Sequence, residues 1–231
     1  AQIWSPNGLT TLTATTSVMA STVSSPDQVK QRFLKDGFVI LDDSSTGEHM
    51  TQMQQRGFPY LTEWGLEFLE QHVLSDKHIN ESFLGKCVLV HWLRQRPYPE
   101  HILCYTKGGP TAGRRSHHVH LIAEGSIVNY RNGSLFRYLQ GTEGKRSINE
   151  IPSQAYDDVG CPGETKEFPN GGKVILDSRV GFELIQGYVL VHEFAREDLV
   201  EDWVKMEVPS ALKAKAHSLE SEKVKLNFSF R

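Results

Sequence analysis

Cysteine is scarce in this 231-residue chain: three residues, Cys87, Cys104 and Cys161, at unrelated spacings and with no CxxC pair. That pattern excludes a cysteine zinc site and a multi-bridge disulfide framework, and it favours a reducing compartment. Long hydrophobic runs are missing too. No stretch approaches the roughly 18 apolar residues of a membrane helix, and no basic-then-apolar leader opens the sequence. The expectation is a cytoplasmic protein with no membrane partner, set against Asn80, Asn132 and Asn227, each of which stands in an Asn-x-Ser sequon. An excess of charge of one sign is also lacking, with 25 basic residues against 28 acidic and a net charge of −3. No broad field therefore draws in nucleic acid. The phosphate-cradling patterns GxGxxG and GxxxxGK[ST] and the nucleophile pattern GxSxG do not occur. The glycines of "KGGPTAGRR" (107–115) accordingly read as a hairpin loop or lid, with Arg114 and Arg115 at a pocket mouth.

What the chain does have is the material for a core, at 39% hydrophobic and 10% aromatic residues. Ser25, Pro26 and Gln28 spell a capped helix start, and Gly37 a stop. A short buried strand, "FVILDD", follows. Helices near 47–56, behind Thr46, and along "TEWGLEFLEQHVL", capped by Thr62, are expected to cover one face of a sheet. From Lys86 the segments change character. "KCVLVHWLRQR", "EHILCYTK", "SHHVHLIA", "GSIVNY", "SLFRYL", "GKVILDS", "VGFELI" and "YVLVHEFA" are short, rich in β-branched and aromatic residues, and separated by turn residues. Such regular short strands argue for a sandwich or barrel. "REDLVEDWVKM" and "SALKAKAHSLESEK" read as helices, and "KVKLNFSFR" as a closing strand with one buried face.

The residues that carry chemistry are histidines, of which there are ten. In "SHHVHLIAEG" (116–125), an extended backbone points His118 and His120 the same way and His117 the opposite way. Two imidazoles so placed can converge on one ion, a common way of holding iron, copper, nickel or zinc in a β-barrel. His192, in "YVLVHEF", is the expected third ligand, because Tyr188, Leu190, His192 and Phe194 share a face there. His91, in "CVLVHWL", is the second candidate for that place, and Glu124, four residues past His120, a fourth ligand. Against this stands the blander alternative for His91 and His192, a hydrogen-bonded histidine in an apolar core. A one-residue slip would exchange His117 for the His118–His120 pair.

The pattern His118-x-His120-x-x-x-Glu124 with a later strand histidine resembles the metal signature of the cupin superfamily. The wider layout, "VKQRFLKDGFVILDD" at the start and "NGGKVILDSRVGFEL" downstream, is similar to the iron(II)/2-oxoglutarate oxygenases of the phytanoyl-CoA dioxygenase type, from Asp27 to about Phe194. The resemblance implies a mainly β fold with flanking helices, a double-stranded β-helix (jelly roll), forming one domain over residues 1–231. Within it fall an extended arm at 1–25, a helical covering segment at 26–84, the main barrel strands at 86–195, and C-terminal helices with a closing strand at 196–231. It also implies Fe(II), held by His118, His120, Glu124 and His192, with 2-oxoglutarate as a possible cosubstrate. Arg115 or Arg179 would pair with a substrate or cosubstrate carboxylate. Three departures from the family pattern matter. No acid follows His118 at the second position, and "ILDSR" leads into Val180-Gly181-Phe182-Glu183 where the distal histidine is expected. The arginine that the resemblance implies about ten residues past the distal histidine is also missing, since Asp202 and Trp203 stand there counted from His192. Three functions therefore stand: a non-haem iron oxygenase acting on a small organic molecule, a catalytically silent relative that binds a small molecule or a partner subunit (as a homo- or heterodimer), and a cupin-type metal-dependent isomerase or hydrolase.

Overall fold

A computed structural model describes residues 25–82, 85–103, 116–131, 151–152, 154, 157, 163–178, 180–200 and 203–231. The expected arm, "SLFRYL", Arg115 and Arg179 lie outside the described residues.

Helix α1 (Pro26–Asp36) starts as its sequence dictates. The Ser25 hydroxyl accepts the Gln28 N–H at 3.3 Å, and the Gln28 side chain accepts the Ser25 N–H at 2.9 Å. Gly37 ends the helix with φ at 79°, a conformation favouring glycine. Helix α2 (Ser44–Gln55) begins earlier than expected because Asp43, not Thr46, is its cap, accepting the Thr46 N–H at 3.3 Å. Helix α3 (Glu63–Leu69) is capped by Thr62 as expected and runs on as a π-helical turn, Glu70–Leu74, before α4 (Lys77–Ser82). None of the described helices is long and apolar enough to cross a membrane.

The described strands are β1 (Phe38–Leu41), β2 (Cys87–Gln95), β3 (His101–Ile102), β4 (Ser116–Ile122), β5 (Ser126–Arg131), β6 (Ile151–Pro152), β7 (Gly163–Phe168), β8 (Gly172–Asp177), β9 (Gly181–Gln186), β10 (Val189–Arg196), β11 (Met206–Val208), β12 (Val224–Leu226) and β13 (Phe228–Phe230). The protein is mainly β. A six-stranded sheet runs β1-β8-β4-β10-β2-β12, and a three-stranded sheet runs β7-β5-β9. Side-chain alternation along the large sheet creates two cores. Val119, Leu121, Ile175, Leu190 and Phe194 face the helices, where they meet Val29, Met50, Phe68 and Val73. Val174, Leu176, Val189 and Val191 face the small sheet and pack on Val128, Tyr130, Phe182 and Leu184.

Strand β2 carries a bulge. Glu193 pairs with His91 and Phe194 with Leu89, which leaves Val90 as an extra residue. The C-terminal region departs from expectation twice. Only Glu197–Leu199 of "REDLVEDWVKM" forms a described helical turn, and it is 3₁₀. The closing strand is broken at Asn227, whose N–H donates to the Leu89 carbonyl at 3.0 Å, so β12 joins the large sheet and β13 pairs with β11 instead. Helix α5 (Lys213–Leu219) lies where "SALKAKAHSLESEK" indicates, and its Ala216 and Leu219 pack beside Leu66 and Phe228.

The helical layer is fastened to the sheet at two points. The Lys173 side chain, almost wholly buried on the helix-facing side of β8, reaches Asp43 at 2.9 Å and Asp76 at 2.8 Å. Nearby, α2 comes against the turn that leads into β8, where Gly171 holds φ at 71°. A Cβ on Gly47 would sit 2.2 Å from the Asn170 carbonyl oxygen and 2.9 Å from its carbon, both rigid backbone atoms. Gly47→Ala is therefore expected to destabilise the fold by roughly 1–3 kcal/mol through overpacking, read as a lowered urea midpoint at unchanged slope.

Candidate functional site

Strand β4 sits between β8 and β10, and its register decides where every histidine of "SHHVHL" points. His118 lies opposite Leu176 and Glu193, and His120 opposite Val174 and Val191. Both therefore face the space between the sheets, as the extended pattern requires. His117 faces the helices, its ring edge-on to Phe33 of α1 at 5.2 Å.

His192 is a correction. It lies opposite Val119 and Trp92, so it faces the helices while His118 and His120 face the small sheet. Its Nδ1–H donates to the Val119 carbonyl at 3.3 Å, and its ring stands edge-on to Trp92 at 6.2 Å. This is the core-histidine alternative, and a sheet's thickness separates it from the other two rings. Glu124 is also displaced: it lies exposed in the turn after β4 and follows the strand's last residue, Ile122. Among the described residues no group of three His, Cys, Asp or Glu is arranged to hold a metal ion.

The residue that the sequence reading missed is Glu193. On β10 it faces inward, where His192 was expected to. His91, Glu193 and His118 stand directly opposite one another on three adjacent strands, β2, β10 and β4. His91 Nδ1 lies 3.2 Å from Glu193 Oε2, and His118 Nε2 lies 4.0 Å from Glu193 Oε1, the latter beyond hydrogen-bond reach. The row runs from solvent into the core: His91 is half exposed and stacks near Trp203, and His118 is buried. On the other side of His118 it continues through Leu176 to Phe38.

One step deeper is His120, with no exposed surface. Its ring meets Phe182 edge-on at 4.5 Å and lies 6.3 Å from Tyr130, which itself stacks on Phe38 at 5.3 Å. Neither His120 ring nitrogen nor the Tyr130 hydroxyl has a hydrogen-bond partner among the described residues. A buried polar group left this way costs about 1–3 kcal/mol, which singles out the space that both groups face. Burial holds the His120 ring well below the usual histidine range, with His118 and His192 adding to the effect, and burial raises the Tyr130 hydroxyl. Both groups are neutral. Burial also lowers His118, opposed by the charges of Glu193 and Asp177.

A groove of about 1160 Å³ opens along the edges of β1 and β7, lined by Phe38, Ile40, Lys166, Phe168 and the polar face of α1. It does not reach the histidines, but Phe38 forms its inner wall and stacks on Tyr130. Across the sheet, on the helix side, a second polar chain runs from Asp43 through Thr46 to His72 and His49, with contacts of 2.9, 3.2 and 2.8 Å. Thr46 has no exposed surface and His72 almost none, so this chain acts as a support for the helical layer.

No family model matches the sequence, and no curated protein is a sequence match. Solved structures do match. HygX from Streptomyces hygroscopicus, with nickel and 2-oxoglutarate bound, superposes at a TM-score of 0.51 with 12% identity, covering 80% of this chain and 90% of that one. EctD from S. alaskensis, with 2-oxoglutarate and 5-hydroxyectoine, gives 0.51 at 8% identity over 77% and 79% of the two chains. The epimerase SnoN, in complex with Fe3+, alpha ketoglutarate and nogalamycin RO, gives 0.50 at 10% over 74% and 83%. The likeness is one of fold: the chain is built like these proteins, each with 2-oxoglutarate (alpha ketoglutarate) bound in its structure, in line with the resemblance of its sequence.

The buried histidines on the helix side contribute to the response to acid alongside His118 and His120. Burial, with nearby Lys173 and His49, brings His72 from 6.5 down to about 4, and burial brings His192 to about 4 against the opposing pull of its Val119 hydrogen bond. Between those values the unfolded chain binds protons that the native one refuses. Stability is full above pH 6.5 and falls as the pH drops toward 4, by up to about 3 kcal/mol per ring. Urea unfolding across that window is expected to show the loss, and His192→Gln to flatten its share of the slope.

Proposed function

We propose that this protein binds a small organic molecule between its two sheets, which close as a double-stranded β-helix, and that it does so without the metal centre its fold implies. The observation that carries this reading is the pair of unpartnered, fully buried groups, the His120 imidazole and the Tyr130 hydroxyl, facing one space. A bound molecule would supply the hydrogen bonds that the described residues do not.

The iron set inferred from sequence does not fit. His118 and His120 share a face, His192 is on the other, and Glu124 is out in a turn. A 2-oxoglutarate dianion is no better served by the described residues. A dicarboxylate in a barrel interior needs a cation to pair with. Lys173 faces the helices between two aspartates, Arg131 is paired with Asp157, and Lys166 at the groove rim is paired with Glu164. The histidines in this reading are ligand-contacting groups in a water-poor pocket, neutral donors and acceptors that orient what they bind.

A second reading follows from the donor types in the cross-strand row. Two imidazoles and a carboxylate are the donor set of non-haem iron centres, and His91, His118 and Glu193 supply them. It requires movement, because the two rings flank Glu193 from opposite sides. Elemental analysis of protein purified without chelator separates the two readings. Substoichiometric metal, unchanged in a His118→Ala variant, is expected. Stoichiometric iron that is lost in that variant would replace the first reading with the second.

A further inference from the structure

We infer that the molecule bound between the sheets carries a positive charge, an ammonium or similar cation, placed against Glu193, with a hydrogen-bonding group placed against His120 and Tyr130. This rests on the small-molecule reading above and names the class of ligand.

Three features of the inward row lead there. Glu193 is an acid on an otherwise apolar inner strand face, between Val191 and Ala195, and its side chain is only 12% exposed. A carboxylate with so little access to water is costly unless charge or hydrogen bonds meet it. His91 meets one oxygen, Oε2, at 3.2 Å. The other, Oε1, faces His118 across 4.0 Å, too far for a hydrogen bond. One carboxylate oxygen is thus left for a donor from outside the described residues. The second feature is charge. Of the described buried cations, Lys173 faces the helices and Arg131 is paired with Asp157, so neither opposes Glu193 between the sheets. The third is independent of the acid. His120 and Tyr130, both neutral and both without partners, stand deeper in the same space, with Phe182 against His120 and Phe38 against Tyr130. Negative at one end, neutral and polar at the other, with aromatic walls, the site is complementary to a cation joined to a short body bearing a donor or acceptor.

The test uses the full chain and a set of probes of one shape and three charges: benzylamine, benzyl alcohol and benzoate, with 2-oxoglutarate as the dianion. Binding is read by ligand-observed NMR. Benzylamine is expected to bind at least about tenfold more tightly than benzoate or 2-oxoglutarate. Glu193→Gln, which keeps size and hydrogen bonding, is expected to remove that preference, and Tyr130→Phe to weaken all bound probes alike. Thermal unfolding reports that each variant is folded, and the charge series on the unaltered protein stands without any variant. Benzoate or 2-oxoglutarate binding as tightly as the amine overturns the inference. So does amine binding that Glu193→Gln leaves untouched. If neutral or anionic probes bind and His120→Phe abolishes their binding, the small-molecule reading survives and the cation does not. If no probe binds at all, both fall together.

Discussion

The ladder that holds β4 between β8 and β10 is the constraint on which the rest of this structure depends. Hydrogen bonds on both sides fix its register, and the two-residue period of a strand then distributes its side chains without further choice. His117, Val119 and Leu121 go to the helices, and His118, His120 and Ile122 to the small sheet. The same ladder assigns Glu193 to the inner face and His192 to the outer one. Two sets of buried imidazoles therefore lie back to back across one sheet. On the helix side the rings have partners: His192 has the Val119 carbonyl, and His72 has Thr46 and His49. On the inner side His120 has none among the described residues. That asymmetry separates histidines that complete a core from the one on which the proposed binding site rests.

Much of the scaffold was legible in the sequence because its signals are local. Ser25 with Gln28, Gly37 and Thr62 mark helix ends by side-chain chemistry that needs no tertiary context. "GSIVNY" and "GKVILDS" are strands by composition and by the turns around them. The shared direction of His118 and His120 also follows from local geometry alone. The opposing direction of His192 does not. Val189, Leu190, Val191 and Phe194 make β10 apolar on both faces, since the strand is buried from both sides. Alternation then identifies two faces but not which of them meets β4's histidines. Only the pairing register distinguishes them, and pairing with a strand about seventy residues away is not written in a short window. The break of "KVKLNFSFR" has the same origin: the Asn227 N–H makes the last bond of the β12–β2 ladder, to the Leu89 carbonyl, and the next residues pair with β11, both contacts between distant segments.

The fold is shared with proteins whose structures hold 2-oxoglutarate, and at 8–12% identity the likeness reaches no further than the fold. The described inner face presents the Glu193 carboxylate, the imidazoles of His91, His118 and His120, and the Tyr130 phenol. Fold sets the shape of the space between the sheets, and the side chains on one row of strands set what that space can hold. Lys173 illustrates the distinction. It is a buried cation on the same sheet, but its strand position places it on the helix side, where it ties Asp43 and Asp76 together and serves architecture only.

The extra residue in β2 has a meaning beyond local twist. On one side of the bulge the inward positions are Val88 and Val90, and on the other they are His91 and Leu93, so the parity of the strand changes at that point. The extra residue absorbs that change, because the pairs on either side of it, Phe194 with Leu89 and Glu193 with His91, are consecutive on β10. Removing Val90 would leave Leu89 toward the helices, His91 inward beside Glu193 and Trp92 toward the helices, with every pair of the ladder intact. What would go is the second valine on the inner face, which packs with Val88, Ala195 and Val200. Length can thus vary at this one point of the strand without altering the chemistry of the row, whereas a residue gained or lost elsewhere in β2 would invert it.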